Sequence, residues 1–350
     1  MSQPLEFLAA QFRMLDLLRG MQGDLMGAMG LGPNECPYRL AGSGPFWRLR
    51  DYGPGAASPA LLIVAAPIKR PYIWDLTPAV SAIRHCLGQG FHVQLLEWTP
   101  ASRDHAVNGL EEHVHAIAEC AARISSAGSH GPAVLFGHSL GGTLAAMCAA
   151  LVPERVRALV LLSTPLCFRP GVSRFRDALV ALVPPDLSMI DPFPGSLLSQ
   201  VSAMASPETF LWAKQADLAA SLFEPADADI HARVERWTLD EVPLPGKFVH
   251  QVLDWLYRAD RFCNGTLEID GNRLGPAQVP VPAFVAVNDG DEVAPLGSVM
   301  PFTSAMPSEI RIVGYPGEIG VCLQHVGLLV GRVARATVWP ELMAWCHARF

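Results

Sequence analysis

The chain has 350 residues, of which half are apolar and 17% are charged, and its net charge at pH 7 is −7. This length allows one large α/β domain with an insertion, or two domains, and the apolar content excludes an intrinsically disordered chain. The negative charge, with no long basic run, argues against a nucleic-acid partner.

The eight cysteines contain no C-x-x-C pair, and the eleven histidines contain no H-x-x-x-H pair. We therefore interpret the cysteines as small core residues of a protein in a reducing cytoplasm, and not as a disulfide scaffold. The same spacings predict no metal site, and no motif predicts a cofactor.

The first predicted element is a helix over residues 5–29, which contains no proline and has apolar residues at helical spacing. We expect it to pack on its own domain, and the alternative is a helix that binds a partner or a hydrophobic surface. Residues 30–60 are rich in Gly and Pro and contain a hairpin strand around residues 46–49. Residues 1–57 form the first predicted unit.

Strands and helices alternate over residues 58–165 and again over residues 277–350. Predicted strands cover residues 61–65, 91–96, 133–136, 158–162, 283–287 and 310–313, and predicted helices cover residues 78–88, 108–127 and 333–348. This alternation predicts right-handed crossovers and a mainly parallel, doubly wound sheet. Residues 166–276 break the alternation and are rich in Pro, Phe, Leu and Trp. We interpret them as a helical cap over the carboxyl ends of the strands, with an apolar character that suits an acyl substrate.

Ser139 lies in the sequence Gly137-His138-Ser139-Leu140-Gly141-Gly142, between an apolar strand and a stretch of small, helix-forming residues. This context is typical of the nucleophile elbow of a G-x-S-x-G motif, in which a sharp turn exposes the serine hydroxyl. The chain is therefore predicted to carry a serine nucleophile. A membrane helix is the alternative for this uncharged stretch, but three glycines, a histidine and a serine interrupt it.

A serine hydroxyl needs a base, and the base needs an acid that orients it. Only His325 and His347 follow the strand at residues 283–287, and His347 lies in the terminal helix, so we assign His325 as the base. The acid is expected just after the same strand, where three carboxylates compete: Asp289, Asp291 and Glu292.

His138 is interpreted as a packing or supporting residue on the other face of the elbow, and not as a base. The oxyanion hole needs two backbone N–H groups, and Leu140, directly after the nucleophile, is expected to supply one. The other comes from the loop after residues 61–65, where Pro67 has no N–H group. Ile68 is the first choice there and Ala66 the second.

Several segments resemble the polyhydroxyalkanoate synthase family, nearest its shorter two-subunit class, over roughly residues 58–335. The matching segments, in family order, are Arg70-Pro71-Tyr72-Ile73-Trp74-Asp75-Leu76, Leu96-Glu97-Trp98, Ser163-Thr164-Pro165, Trp237-Thr238-Leu239-Asp240 with Leu244-Pro245-Gly246, Leu256-Tyr257 through Asn264-Gly265-Thr266-Leu267, Asp291 to Pro295, and His325-Val326-Gly327. The resemblance implies an α/β-hydrolase fold with a mobile cap and substrates built from (R)-3-hydroxyacyl units. It also implies that Asp291 is the acid of a triad with Ser139 and His325, with Asp289 as the alternative.

The chain departs from that family at the nucleophile. The family uses cysteine in a G-x-C-x-G elbow where this chain has Ser139, and Glu292 stands where the family usually has His after the acid. A cysteine thioester is close in energy to a coenzyme A thioester, whereas a serine ester lies lower and passes its acyl group to water or another alcohol. We therefore expect a serine acyl hydrolase that acts on (R)-3-hydroxyacyl esters or thioesters. A synthase-type acyltransferase and a non-catalytic granule- or synthase-binding protein are the alternatives.

The expected substrate is a hydroxyacyl thioester or a polyester. Whether the protein forms a homodimer or binds a synthase subunit is left open. Glu6 and Asp16 stand where a secretory signal would have a basic head, so we predict no such signal, and no transmembrane segment. We expect a cytoplasmic protein, with association to polyester granules as an open option.

Overall fold

An eight-stranded sheet forms the centre of the protein in a computed structural model, which describes residues 3–53, 58–127, 131–184 and 190–350. The strands are β1 (Arg39–Ser43), β2 (Trp47–Asp51), β3 (Ala60–Val64), β4 (Asp75–Thr77), β5 (Val80–Ser81), β6 (His92–Trp98), β7 (Ala133–His138), β8 (Val156–Leu162), β9 (Leu267–Ile269), β10 (Asn272–Leu274), β11 (Ala283–Asn288) and β12 (Ile310–Tyr315). The α-helices are α1 (Gln3–Met26), α2 (Ala82–Gly88), α3 (Leu110–Ala127), α4 (Leu140–Leu151), α5 (Arg174–Leu182), α6 (Gly195–Ala205), α7 (Ala213–Ser221), α8 (Pro225–Leu239), α9 (Gly246–Gln251), α10 (Met300–Thr303), α11 (Gly327–Val330) and α12 (Arg332–His347). Short π-helical segments follow α1, precede α7 and follow α9, at Gly27–Leu31, Glu208–Trp212 and Val252–Arg258.

The strand order in the central sheet is β1-β2-β6-β3-β7-β8-β11-β12. Strand β2 pairs antiparallel with both β1 and β6, and every pair from β6 to β12 is parallel. The prediction of a mainly parallel, doubly wound sheet is confirmed. The predicted hairpin strand corresponds to β2, which places an antiparallel edge beside the parallel strands.

Apolar clusters cover both faces of this sheet. In β3, Leu62 and Val64 belong to the cluster that contains side chains of α3 and α4, whereas Leu61 and Ile63 belong to the cluster that contains side chains of α2 and α12. Burial on both faces explains why the parallel strands are uninterrupted apolar runs in the sequence.

Helix α2 begins later than the sequence predicts. Pro78 was expected in its first turn, but Pro78 lies between β4 and β5, and the helix starts at Ala82. The Ser81 hydroxyl accounts for this start, because it accepts a hydrogen bond from the Arg84 N–H at 2.8 Å and so caps the helix.

The described residues between β8 and β11 form helices α5 to α9 and the hairpin β9–β10, all outside the central sheet. We refer to helices α5 to α9 and the loops that join them as the cap. We keep the four predicted units as a proposed division of the chain, at residues 1–57, 58–165, 166–276 and 277–350. The third unit includes residues 185–189, which lie outside the described residues, as do residues 1–2, 54–57 and 128–130 of the first two units.

Helix α1 packs on the cap, against α6 and α8. Asp16 accepts a hydrogen bond from the Ser196 N–H at 2.7 Å, and Arg19 donates to Glu241 at 2.8 Å. The apolar stripe of this helix is only partly covered. Its half-buried members are Leu8, Phe12 and Leu15, and its exposed members are Leu18, Met21, Leu25 and, in the following turn, Met29. The expectation that α1 packs on its own domain therefore accounts for only the first part of the stripe.

Cys167 and Cys263 form a disulfide, which joins the loop after β8 to the loop after the Val252–Arg258 segment. The other six cysteines are free and buried. The interpretation of the cysteines as unpaired core residues is wrong for this one pair. Sequence spacing does not reveal the bond, because 96 residues separate its two ends.

None of the helices among the described residues combines the length and the apolar character needed to cross a bilayer.

Replacing both Cys167 and Cys263 with Ala should lower the free energy of unfolding by about 2–5 kcal/mol, because the bond closes a long loop in the unfolded chain. Denaturant titrations with and without reductant measure this effect. Reductant should lower the midpoint of the wild type and leave that of the double variant unchanged. Cys36→Ala, at a buried free cysteine, is the control and should keep the response to reductant. A wild-type midpoint that does not respond to reductant contradicts the prediction.

Candidate active site

The predicted site residues all follow the carboxyl ends of parallel strands. Ser139 follows β7, residues 65–70 follow β3, Asp291 follows β11, and His325 lies in the segment after β12. Because these strands run parallel in one sheet, their following segments meet at the same edge of the sheet.

Ser139 has a backbone conformation that side-chain-bearing residues rarely adopt, with φ 55° and ψ −136°. It joins the end of β7 to the first turn of α4. A β-carbon at Gly137 would lie 2.2 Å from the α-carbon of Gly142, and one at Gly141 would lie 2.2 Å from the carbonyl oxygen of Val64. The turn therefore requires glycine on both sides of the serine, which is the arrangement that the G-x-S-x-G pattern predicts.

His325 and Asp291 are hydrogen-bonded, with Nδ1 of the ring donating to Oδ2 of the carboxylate at 2.7 Å. The carboxylate is buried, and its other oxygen accepts the Val293 N–H at 2.9 Å. Burial raises the pKa of Asp291, but His325 and the N–H groups of Val293 and Ala294 outweigh burial and lower it. Asp291 is therefore ionised at neutral pH, and it orients the ring so that Nε2 is the nitrogen left to accept a proton.

The structure separates the competing candidates. Asp289 is exposed, and its N–H donates to the Tyr315 carbonyl at 3.0 Å. His347 is exposed at the end of α12, with its ring centre 4.4 Å from that of Phe91. Of the three candidate carboxylates, Asp291 is the one that the structure brings to His325.

His138 lies beside the base. Its Nε2 donates to the backbone carbonyl of His325 at 2.7 Å, and the two ring centres are 4.7 Å apart. Burial, together with the neighbouring His325 ring, lowers the pKa of His138 to about 3, so its ring is neutral at pH 7. The predicted position on the other face of the elbow is wrong, because the ring lines the same cavity as Ser139. A neutral ring that supports the backbone of the base agrees with the predicted supporting role.

A cap residue that sequence reasoning missed fixes the loop before His325, the candidate base. The Asp217 carboxylate of α7 accepts the N–H groups of Gly320 and Cys322 at 2.8 and 2.9 Å, and it binds the His231 ring at 2.7 Å. Burial raises the pKa of Asp217, but these three hydrogen bonds outweigh burial and lower it. Gly320 and Cys322 both have positive φ, 89° and 65°, so the loop needs such support. No local motif signals this contact, since more than a hundred residues separate Asp217 from the loop.

The predicted oxyanion donors line one cavity together with Ser139 and His325. These donors are Leu140, Ile68 and Ala66. Leu140 is the first residue of α4, where N–H groups have no partner within the helix. The loop after β3 thus contributes two of the candidate donor residues, Ala66 and Ile68, to the cavity lining.

The cavity has a volume of 370 Å³ and mostly apolar walls. Phe210, Phe248 and Tyr257 line it from the cap and the segment that follows α9, and Leu15 lines it from α1. Its size and apolar character are typical of a cavity that binds a small molecule.

Among the described residues, two groups of three side chains consist of residue types that can bind a metal ion, with their ligand atoms close to one another. The first group is His231, Glu235 and Cys322, and the second, mostly exposed, is Glu111, His115 and Asp270. In the first group the Lys214 ammonium contacts Glu235, and Asp217 binds the His231 ring. Ion pairs account for this group, so we assign no metal to it.

Comparison with known proteins assigns the fold family. A model of the alpha/beta hydrolase fold family matches residues 99–313. The chain belongs to this family. The proline iminopeptidase-related protein of Thermus thermophilus has the same fold, with a TM-score of 0.54 at 15% identity over 91% of this chain and 100% of that one.

Two similar proteins of known activity are poly(3-hydroxyalkanoate) polymerase subunits PhaC. The subunit of Haloferax mediterranei is 29% identical over 83% of this chain and 58% of its own length. The subunit of Allochromatium vinosum is 26% identical over 91% of this chain and 90% of its own length. The chain thus spans less than two thirds of the archaeal relative. The predicted resemblance to polyhydroxyalkanoate synthases is confirmed.

Asp291→Asn should reduce turnover of an ester substrate by about 10³- to 10⁴-fold without unfolding the protein, because the base loses its orienting carboxylate. Asp289→Asn is the matched control, since Asp289 is exposed and does not contact the base, and it should stay near wild type. Steady-state kinetics and thermal melting of both variants test the assignment. A reversed order of activities would make Asp289 the acid.

Gly141→Ala should destabilise the protein by about 1–3 kcal/mol and abolish activity, because the new methyl group meets the Val64 carbonyl and displaces the elbow. Gly88→Ala, where a β-carbon meets open space, should stay within about 0.5 kcal/mol of wild type. Denaturant titration measures both. An active Gly141→Ala variant of normal stability would show that the elbow tolerates a side chain there.

Proposed function

We propose that the protein is a serine acyl hydrolase that cleaves (R)-3-hydroxyacyl esters or thioesters through an acyl-enzyme formed on Ser139. The observation that carries this proposal is the 2.7 Å hydrogen bond between His325 and the buried Asp291, in a cavity that Ser139 also lines. The strained turn at Ser139 supports its role as the nucleophile, and the polymerase relatives support hydroxyacyl substrates.

In acylation, Nε2 of His325 takes the proton of the Ser139 hydroxyl as Oγ bonds to the carbonyl carbon of the substrate. The carbonyl oxygen becomes an oxyanion, to which the N–H groups of Leu140 and of Ile68 or Ala66 donate. When the intermediate collapses, the bond to the leaving sulfur or oxygen breaks, and His325 returns its proton to that atom. Asp291 stays ionised throughout and stabilises the charged ring.

In deacylation, His325 takes a proton from water as the water oxygen bonds to the acyl carbon. The second oxyanion uses the same amides, and its collapse breaks the bond to Ser139 Oγ. His325 then returns the proton to Oγ, which restores the serine and releases a free 3-hydroxy acid.

The second candidate function is polymerisation, and the relatives of the chain favour it, because they are poly(3-hydroxyalkanoate) polymerase subunits. In that case the acceptor in deacylation is the hydroxyl group of another hydroxyacyl unit, and the product is an ester. We rank it second because a serine ester drives transfer to a hydroxyl less strongly than a thioester does.

We also propose that the protein associates with polyester granules through apolar side chains of α1 and the cap. Leu18 and Met21 of α1 are more than half exposed, as are Trp212, Leu222 and Phe223 of the cap. Large apolar side chains exposed in this number are typical of surfaces that bind another apolar surface. A homodimer or a complex with a synthase subunit would cover the same side chains.

Incubation with the coenzyme A thioesters of 3-hydroxybutyrate and 3-hydroxyoctanoate tests the proposal, with free thiol and product mass followed together. Thiol release with free acid supports the hydrolase, and thiol release with oligomers supports the polymerase. Ser139→Ala should release no thiol. A protein that releases no thiol and does not react with a fluorophosphonate at Ser139 is not an acyl-transfer enzyme.

Ser139→Cys should raise the ratio of hydroxyacyl oligomer to free acid, because a cysteine thioester passes its acyl group to an alcohol with a larger driving force. The ratio is measured by mass spectrometry on the same thioester for both proteins, at matched conversion. The longer C–S bond alters the alignment with His325 and the oxyanion amides, so a loss of total rate is also expected. An unchanged ratio in an active, folded variant would show that access of water, and not the nucleophile, decides the outcome.

A further inference from the structure

Lys69 is one of three lysines in the chain and lies in the loop that carries the candidate oxyanion amides. Its side chain is only 14% exposed and lines the cavity. The ammonium group donates to the Thr238 carbonyl at 2.5 Å, and to Ser199 Oγ and Glu241 Oε1 at 3.3 Å each. The loop is therefore tied to the cap by the residue directly after Ile68.

Glu241 joins this lysine to helix α1. Its carboxylate is 2% exposed, and its second oxygen accepts Nε of Arg19 at 2.8 Å. Arg19 also donates to the Thr238 carbonyl, at 3.1 Å. A backbone bridge between Lys69 and Glu241 adds to the side-chain contact. We call Arg19, Lys69, Ser199, Thr238 and Glu241 the Lys69 cluster.

The residues beside Lys69 are also bound to the cap. Trp237 Nε1 donates to the Arg70 carbonyl at 2.8 Å, and the Tyr72 hydroxyl lies 2.5 Å from Asp240. These four residues belong to the segments that carry the resemblance to the synthases, whereas Lys69 and Glu241 lie just outside those segments. Residues 69, 70 and 72 of this segment are thus all bound to the cap.

We propose that Lys69 is a positioning residue for the reaction: its contacts with Glu241 and the cap fix the loop whose Ala66 or Ile68 amide stabilises the oxyanion. The inference rests on the proposed function. An oxyanion donor acts only when it is already in place, and displacements of about 1 Å can cost about 100-fold in rate. The cluster supplies that fixation from three elements, namely α1, the cap and the loop.

The charge of Lys69 depends on pH within an accessible range. Burial lowers its pKa to about 8; Glu241 opposes this shift, and the cations of Arg19 and Lys214 add to it. Among the described residues, these three groups are the charged ones that shift the pKa of Lys69, and Lys214 is itself paired with Glu235. Above pH 8 the ammonium loses a proton, and with it one N–H donor and the ion pair with Glu241. The rate of acylation should therefore fall as pH rises through 8.

Lys69→Met tests the proposal, and Lys247→Met is the matched control. Lys247 likewise donates to a carbonyl and a carboxylate, those of Val107 and Glu112, at 2.8 Å each, but it does not line the cavity. The readouts are the rate of Ser139 phosphonylation by a fluorophosphonate, kcat and KM for 3-hydroxybutyryl coenzyme A, and the melting temperature. Lys69→Met should lose about 10- to 100-fold in kcat and in phosphonylation rate with KM nearly unchanged. Lys247→Met should stay within about 2-fold of wild type in these rates.

The pH profile of phosphonylation separates positioning from a merely structural role. The wild-type rate should decline above pH 8, whereas Lys69→Arg, which stays charged, should keep its rate there. Arg19→Gln removes a cation that lowers the pKa of Lys69, so its decline should move to higher pH. If Lys69→Met does not fold, the pH profile of Arg19→Gln still tests the proposal.

Equal rates for Lys69→Met and Lys247→Met, or the same alkaline decline in wild type, Lys69→Arg and Arg19→Gln, would overturn the proposal. Failure of the proposed function is distinguishable from these outcomes. If the wild type is phosphonylated at Ser139 but releases no thiol, the proposed substrates are wrong. The phosphonylation rates of the variants still test the role of Lys69 in that case. A wild type that does neither overturns both proposals.

Discussion

The strained turn at Ser139 is the constraint around which the site is built. A positive φ at a non-glycine residue costs about 1–3 kcal/mol and persists only where the surroundings determine it. Here the turn lies between the buried strand β7 and the buried helix α4, and a β-carbon at Gly142 would lie 2.0 Å from Oγ1 of Thr164. Thr143 donates to the Pro165 carbonyl at 2.7 Å, so the elbow and the segment 163–165 pack as one unit.

The cap fixes two loops of the candidate site. Asp217 binds the loop before His325, and Trp237 binds the loop that carries the oxyanion amides. Both loops are therefore anchored on the cap. A cap displacement that breaks these bonds would loosen the base and the oxyanion hole at once.

The sheet was predictable because buried parallel strands are apolar runs between helices, and the elbow because its glycines are local to the serine. The candidate base His325 follows from chain order, whereas spacing alone left Asp289, Asp291 and Glu292 in competition as the acid. Contacts between distant segments were not predictable: the Cys167–Cys263 disulfide and the bond from Asp217 to Cys322 each join residues about a hundred positions apart. The same limit applies to α1, whose apolar stripe predicts a packed helix but does not show that part of it stays exposed.

The fate of the acyl group depends on two separate physical factors. Transfer from a serine ester to another hydroxyl group exchanges one oxygen ester for another, so it has little driving force, whereas transfer to water in excess runs to completion. A serine enzyme can therefore extend a chain only if water is kept from the acyl-enzyme. The apolar walls around Phe210 and Phe248 and the neutral ring of His138 provide few groups that would hold water near Ser139. Under the proposed function, the nucleophile thus sets the direction in which the reaction is favourable, and access through the cap sets which acceptor reaches the acyl-enzyme first.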